Sequence, residues 1–232
     1  MSYVIFLLFF FTLLSFNFCY NTAHAASFSV GGVRVTKNVT SMKEIKGRNI
    51  IHQSLDFSCG AAGLSTLMHF YLNDPVSEKE IINNILKSVD LAKVKQRKGF
   101  SLLDLKKFAE AKGYKVTGYK MDSKFLAELK TPVLVPIKFK AYQHFVIVKG
   151  TVGDRVFIAD PAVGNMTMKI SRFENIWLGG IGLVIEHPNG AENQNYALRA
   201  NEEEAIFADY KNAIRTVQGS VIRTSLFPGE WK

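Results

Sequence analysis

From Cys59 to Tyr71 the apolar positions Leu64, Leu67, Met68 and Tyr71 fall at i, i+3, i+4 and i+7, the stripe of a helix packed against a core. Asn73, Asp74 and Pro75 break that helix. Ser77 to Glu80 then has the form of a capping box and opens a second helix to about Lys87, with Ile81, Ile82, Ile85 and Leu86 facing inward. Residues Ser88 to Lys98 are polar and basic, with Lys93, Lys95, Arg97 and Lys98 clustered, and read as an exposed loop or helix end able to rim a cleft. A third helix starts with Ser101 as its cap and stops at Gly113. Tyr114 to Met121 alternates as a strand, and Asp122 caps a short helix that Thr131-Pro132 ends near Leu129.

After Val133 the period changes to two. Strands are expected at Val133–Phe139, His144–Lys149, Arg155–Ala159 and Ile181–Ile185, with Ser171 to Glu174 capping a short helix between the last two. Near the start, Ser27 to Val35 reads as a short strand or a hairpin about Gly31-Gly32, and Asn49 to Gln53 runs extended into the turn before Cys59. Helices first and antiparallel strands afterwards predict an α+β domain of two packed layers. Glu202 to Arg215 forms one more helix, acidic at its start and basic at its end, which either packs on the core or docks a partner.

The length of 232 residues suits one domain with extensions. Residues 1 to 25 stand apart. Tyr3 to Phe18 is almost wholly apolar, and Ala23-His24-Ala25 offers the small-x-small pattern of a signal-peptidase site, so a cleavable export signal is expected. An uncleaved membrane anchor is the rival, since no Lys or Arg precedes the apolar run. The resulting division is a signal at 1–25, a lead-in at 26–50, a main domain at 51–187 and a helical extension at 188–232. Cleavage removes Cys19 and leaves Cys59 alone, so no internal disulfide forms in an oxidising compartment. None of the charge lies in residues 1 to 25, so the mature chain keeps the formal +9. That balance favours anionic neighbours, or simply solubility.

A cysteine in the first turn of a helix meets free N–H groups and the positive end of the helix dipole, both of which favour a thiolate. Cys59 has that placement, and the small residues Gly60, Ala61 and Ala62 leave an open approach. Gln53 lies six residues upstream, within reach of an oxyanion forming beside the sulfur. The plain alternative is a buried cysteine and a solvated glutamine. His144 sits near the entrance of its strand and Asp160 at the end of the next. Pairing them directly requires the three-residue loop Thr151-Val152-Gly153, a common hairpin type. A two-residue loop at Gly153-Asp154 sets them on opposite faces unless a bulge intervenes. His69 is roughly 15 Å along the helix from Cys59, too far to activate it. His52 is a weaker candidate.

The segment Gln53-Ser-Leu-Asp-Phe-Ser-Cys-Gly-Ala-Ala62, followed by Tyr142-Gln-His-Phe-Val-Ile-Val148 and Val156-Phe-Ile-Ala-Asp-Pro161, resembles the papain-like double-glycine peptidases that process bacteriocin leaders. The resemblance covers Ile51 to Glu186, with the three motifs in the family's order. It implies a papain-like fold, Cys59 as nucleophile, His144 as base, Asp160 as orienting group and Gln53 as oxyanion donor. It also implies a peptide or protein substrate cut after Gly-Gly or a similar small pair. Many transporter-linked members have aspartate before the cysteine, where this chain has Ser58.

No phosphate loop ending in Gly-Lys-Ser/Thr and no multi-span region follow, so the expectation is a peptidase beside a separate export or surface-fibre assembly system, periplasmic or extracellular. No cofactor is expected, scattered histidines offer no zinc spacing, and nothing indicates nucleic-acid binding. Two rivals remain. One is a peptidase-like domain that binds leaders or scaffolds an assembly without catalysis, and the other turns the same thiol on a cell-wall amide.

Overall fold

The computed structural model describes residues 25–30, 33–38, 41–139, 142–188 and 198. The signal segment before Ala25 and the helix expected at 202–215 lie outside them. The chain divides into two compact units, residues 1–44 and 45–232. In the first, β1 (Ala25–Val30) and β2 (Val33–Asn38) form an antiparallel hairpin, with Val30 opposite Val33. Helix α1 (Met42–Gly47) spans the division.

The second unit begins its regular structure with helices α2 (Cys59–Phe70), α3 (Glu78–Ile85), α4 (Leu91–Arg97) and α5 (Leu102–Ala111). Strand β3 (Lys115–Lys120) and helix α6 (Ser123–Glu128) come next, then β4 (Val133–Phe139), β5 (Tyr142–Val152), β6 (Arg155–Asp160) and β7 (Gly164–Lys169). Helix α7 (Ile170–Ile176) and β8 (Ile181–Glu186) complete it. The sheet has the order β3-β8-β4-β5-β6-β7 and every neighbouring pair is antiparallel.

Local chemistry accounts for most element boundaries. Ser77 Oγ accepts from the Glu80 N–H at 3.2 Å. Ser101 and Asp104 form a full capping box, with Ser101 N–H on Asp104 Oδ2 at 2.8 Å. Asp122 Oδ1 accepts from Phe125 N–H and starts α6.

Four differences from the sequence reading have physical causes. The basic stretch contains helix α4, capped by Asp90, in which Val94 alone is buried, so it carries almost no apolar stripe. Ser171 lies inside α7, whose N-cap is Lys169 without a side-chain bond. Strand β7 went unseen because its residues alternate weakly. The sheet is also covered on both faces. One core joins Leu64, Leu67, Leu105, Phe145, Ile147 and Leu134, and the other joins Val146, Val148, Ile158, Leu126, Phe173 and Trp177. Continuous apolar runs in β4, β5 and β6 need cover on both sides, which α6 and α7 supply beneath the layer that carries α2.

Candidate active site

Helix α2 lies against β5 with almost no clearance. A Cβ at Gly63 would stand 2.9 Å from Leu134 Cδ1, and one at Gly60 would stand 2.9 Å from Leu105 Cδ1. Ala61 and Ala62 are fully buried. The small residues after Cys59 therefore serve close packing of α2 on the sheet and on α5, and the open approach expected from them is absent: the way to the thiol runs elsewhere.

The loop before α2 closes on itself. Ser58 N–H and Ser58 Oγ both donate to the Leu55 carbonyl, at 3.1 and 2.8 Å, and Ser58 Oγ accepts from Leu55 N–H at 3.0 Å. Spent in this way, the hydroxyl does not cap the helix. The first helical bond runs from Ala62 N–H to Ser58 O, so the N–H groups of Cys59, Gly60 and Ala61 precede the ladder at the positive end of the dipole.

His144 and Asp160 are buried, about one-twentieth exposed, and joined Nε2 to Oδ1 at 2.8 Å. The hairpin that unites them has the two-residue loop Gly153-Asp154, because Val152 pairs with Arg155. The three-residue loop allowing direct pairing is not used. Parity is restored by a bulge: Gly150 pairs with Phe157, but Val148 pairs with Ile158, leaving Lys149 as an extra residue. Continuing that register sets Asp160 opposite Val146, two residues from His144 and on the same face. They meet as a diagonal cross-strand pair.

With Nε2 on Asp160, the Nδ1 side of the ring is left for the Cys59 thiol, to which His144 is also hydrogen-bonded. Burial alone would depress the imidazole pKa. The Asp160 bond, the Cys59 bond and the charges of the two partners outweigh it and lift the value from 6.5 to about 9. Asp160 Oδ1 also accepts from Ala162 N–H at 2.8 Å, so one oxygen orients the imidazole and closes the turn after β6.

Gln53 is tied to the same turn. Its backbone N–H donates to Pro161 O at 3.0 Å, and His52 Nδ1 lies 3.2 Å from that carbonyl. The Gln53 side-chain Nε2 donates to Leu55 O at 2.9 Å, which leaves its second hydrogen, while Oε1 is buried without a partner. Sequence reasoning missed Glu78. It is 8% exposed, and its Oε1 accepts from Ser54 N–H at 3.0 Å, fastening the loop that carries Gln53 to α3. As one glutamate in the acidic first turn of a helix, it gave no signal of that role. His69 stacks on Phe70 and takes no part in the cluster.

Cys59 borders a 210 Å³ cavity walled by Arg97, Lys98, Phe100, Ser101, Gln143 and Phe145. A second hollow of 280 Å³ shares Ser101, Gln143 and Phe145 and continues over Leu102, Pro136 and Leu178. Together they make a groove leading from the thiol. A larger hollow of 430 Å³ between α3 and α5 touches none of Cys59, His144, Asp160 or Gln53.

Its helices and antiparallel sheet have the papain-like fold of a peptidase domain, and the family match makes the chain a cysteine peptidase. The chain belongs to the peptidase C39 family, whose pattern matches residues 47–189. It is 34% identical over 155 residues to a probable functional amyloid protease, FapD, of Pseudomonas aeruginosa, covering 67% of this chain and 68% of that protein. With the FapD protein of Pseudomonas fluorescens the identity is 35% over 161 residues, covering 69% and 71%. The fold matches the peptidase domain of Streptococcus ComA, described as a bifunctional ABC transporter involved in quorum sensing. That match has a TM-score of 0.50 and 22% identity over 59% of this chain and 96% of that domain. Among the described residues, no helix is long and apolar enough to cross a membrane.

Proposed function

We propose that this chain is an exported cysteine peptidase that cuts a peptide after a Gly-Gly-like pair of small residues, using Cys59, His144, Asp160 and Gln53. The observation that carries the reading is the buried His144–Asp160 pair hydrogen-bonded onward to Cys59. Cys59 transfers its proton to His144, and Sγ attacks the scissile carbonyl carbon, forming a C–S bond and an oxyanion. The free hydrogen of Gln53 Nε2 and the Cys59 N–H stabilise that oxyanion. The imidazolium gives its proton to the leaving amine as the C–N bond breaks, leaving a thioester. Water, deprotonated by His144, attacks the thioester and releases the thiol. Asp160 holds Nε2 throughout, keeping Nδ1 on the sulfur.

The preference for small residues at the cleaved bond rests on the resemblance to the double-glycine peptidases. In this reading residues 1–25 are the export signal, 26–50 a lead-in, 51–187 the peptidase domain and 188–232 an extension. The names of the Pseudomonas relatives favour a surface-fibre assembly system as the setting and source of substrate.

The test is alkylation of the mature protein by iodoacetamide at pH 6 to 7, beside hydrolysis of Gly-Gly peptides and of the same peptides with Leu-Leu at the cut. Fast alkylation that falls about tenfold or more in His144→Ala, with Gly-Gly cleaved and Leu-Leu spared, is expected. Equal cleavage of both peptides removes the small-pair specificity, and an unchanged alkylation rate in the variant removes the Cys59–His144 pair.

A further inference from the structure

The basic cluster after α3 has no place in the chemistry above, yet two of its members wall the cavity that Cys59 opens into. Arg97 is held in place: its Nη2 lies 3.2 Å from Asp104 Oδ2, and Asp104 is itself fixed by the capping box of α5. That bond occupies one corner of the guanidinium and leaves the others for a second acceptor. Lys98 is exposed, and among the described residues its ammonium has no ion-pair partner. No acidic side chain lines this cavity.

The backbone under Lys98 is fixed as well. Lys98 ends α4 in the left-handed region, φ 58°, where glycine is the favoured residue. Gly99, φ 155°, and Phe100 are buried, and the Phe100 ring meets the edge of Phe57 at 6.2 Å between centroids. Phe57 belongs to the loop before Cys59, so the cationic turn is anchored to the segment that delivers the nucleophile. A lysine in a position that favours glycine costs stability. Neutralising the C-terminal end of the helix dipole does not require it, because Lys95 and Arg97 already occupy the last turn.

We propose that Lys98 and Arg97 form a subsite for a substrate carboxylate beside the scissile bond, so that the preferred substrate carries an acidic side chain close to its small-residue pair. This rests on the peptidase reading of Cys59 and adds a charge requirement to it. A cation in a half-enclosed cavity next to the reacting bond attracts a carboxylate more strongly than one on open surface, and the guanidinium adds a directed hydrogen bond.

The experiment uses short Gly-Gly peptides, amidated at the C-terminus, in which one Glu or one Gln occupies each flanking position in turn. The full mature chain is compared with Lys98→Gly, which suits the left-handed backbone, and with Lys98→Asp, which tolerates it and reverses the charge. For wild type, kcat/KM for Glu is expected to exceed that for Gln about three- to tenfold at one or two positions, an advantage that shrinks as salt rises from about 0.01 to about 0.15 M. Lys98→Gly lowers the ratio to the share that Arg97 supplies, without loss of thermal stability, and Lys98→Asp lowers it further. A parallel set with free C-termini separates a chain-end carboxylate from a side chain: a preference that follows only the terminus overturns the side-chain assignment.

Binding of the same peptides to Cys59→Ala, read by fluorescence anisotropy, separates this subsite from the cleavage reading. Peptides bound with a Glu preference but not cut by wild type sink the Gly-Gly reading and keep the subsite. Cleavage without any Glu preference, a preference undiminished in Lys98→Gly, or no binding at all overturns the subsite.

Discussion

Replacing Asp160 with Asn isolates the charge that holds the imidazole. Asp160 Oδ1 accepts from His144 Nε2 at 2.8 Å and from the Ala162 and Val163 N–H groups at 2.8 and 3.4 Å. An asparagine Oδ1 in the same place can accept all three, so geometry is retained and only the charge is lost. Asp160→Ala would instead orphan a buried ring N–H and the turn amide, mixing stability with chemistry.

The His144 pKa stands at about 9 against an ordinary 6.5. That net rise is worth about 3 kcal/mol at 1.36 kcal/mol per unit. Burial opposes it, so Asp160 and Cys59 together supply more than the net, and the Asp160 bond is the larger. The Asp160→Asn variant should therefore titrate at least about one unit lower. The assay is a pH titration of the imidazole by NMR in 13C-histidine protein, with the His144 signal assigned among five histidines by its loss in His144→Ala.

The alkaline limb of Gly-Gly peptide hydrolysis should move with it, making the variant about three- to tenfold slower than wild type at pH 8.5 and much less impaired at pH 7. Stability follows the same sign. A folded-state pKa raised above the unfolded value contributes fully below about 6.5 and is lost as pH rises through about 9, so the unfolding free energy should fall across that window by less in Asp160→Asn than in wild type. A His144 midpoint within a few tenths of wild type in the variant would refute the assignment of the raised pKa to the Asp160 charge.

Two further outcomes follow from single contacts. Glu78→Ala removes the acceptor for Ser54 N–H and should cost about 1–3 kcal/mol in urea unfolding, with faster amide exchange at residues 52–56; Glu78→Gln, which keeps Oε1, should cost clearly less, and equal losses would deny Glu78 its anchoring role. Gly164 has φ 89°, and a Cβ there would meet the Lys46 carbonyl oxygen at 2.5 Å, so Gly164→Ala should lower stability by about 2 kcal/mol or more, measured by thermal unfolding; a neutral result would mean that the backbone of residues 45–48 gives way.

The parts of this protein that were legible in sequence are those where one physical demand writes a repeated pattern. The α2 stripe is such a case, and Leu64, Leu67, Met68 and Tyr71 are all buried. The caps at Ser77, Ser101 and Asp122 are another, since each must satisfy orphan N–H groups at a fixed offset. Helix α4 writes no such pattern, because only Val94 of its seven residues is buried and the remainder answer to solvent. The second layer of helices was implied by strands apolar on both faces, yet its members are short and hold the sheet through single anchors such as Leu126 and Phe173.

The His144–Asp160 geometry shows where residue type stops deciding the matter. Both side chains were named from sequence, but whether they meet is a question of parity along the hairpin. The loop Gly153-Asp154 by itself puts them on opposite faces, and the extra residue at Lys149 brings them back. The signal for that bulge was present in Gly150, a glycine interrupting a run of β-branched residues and now seen at φ 152°. It could be found only by asking why a strand otherwise so apolar contains Lys149-Gly150. The site thus depends on chain length between two motifs as much as on the motifs: one residue fewer between Val148 and Gly153, and the same imidazole and carboxylate would face away from each other across the sheet.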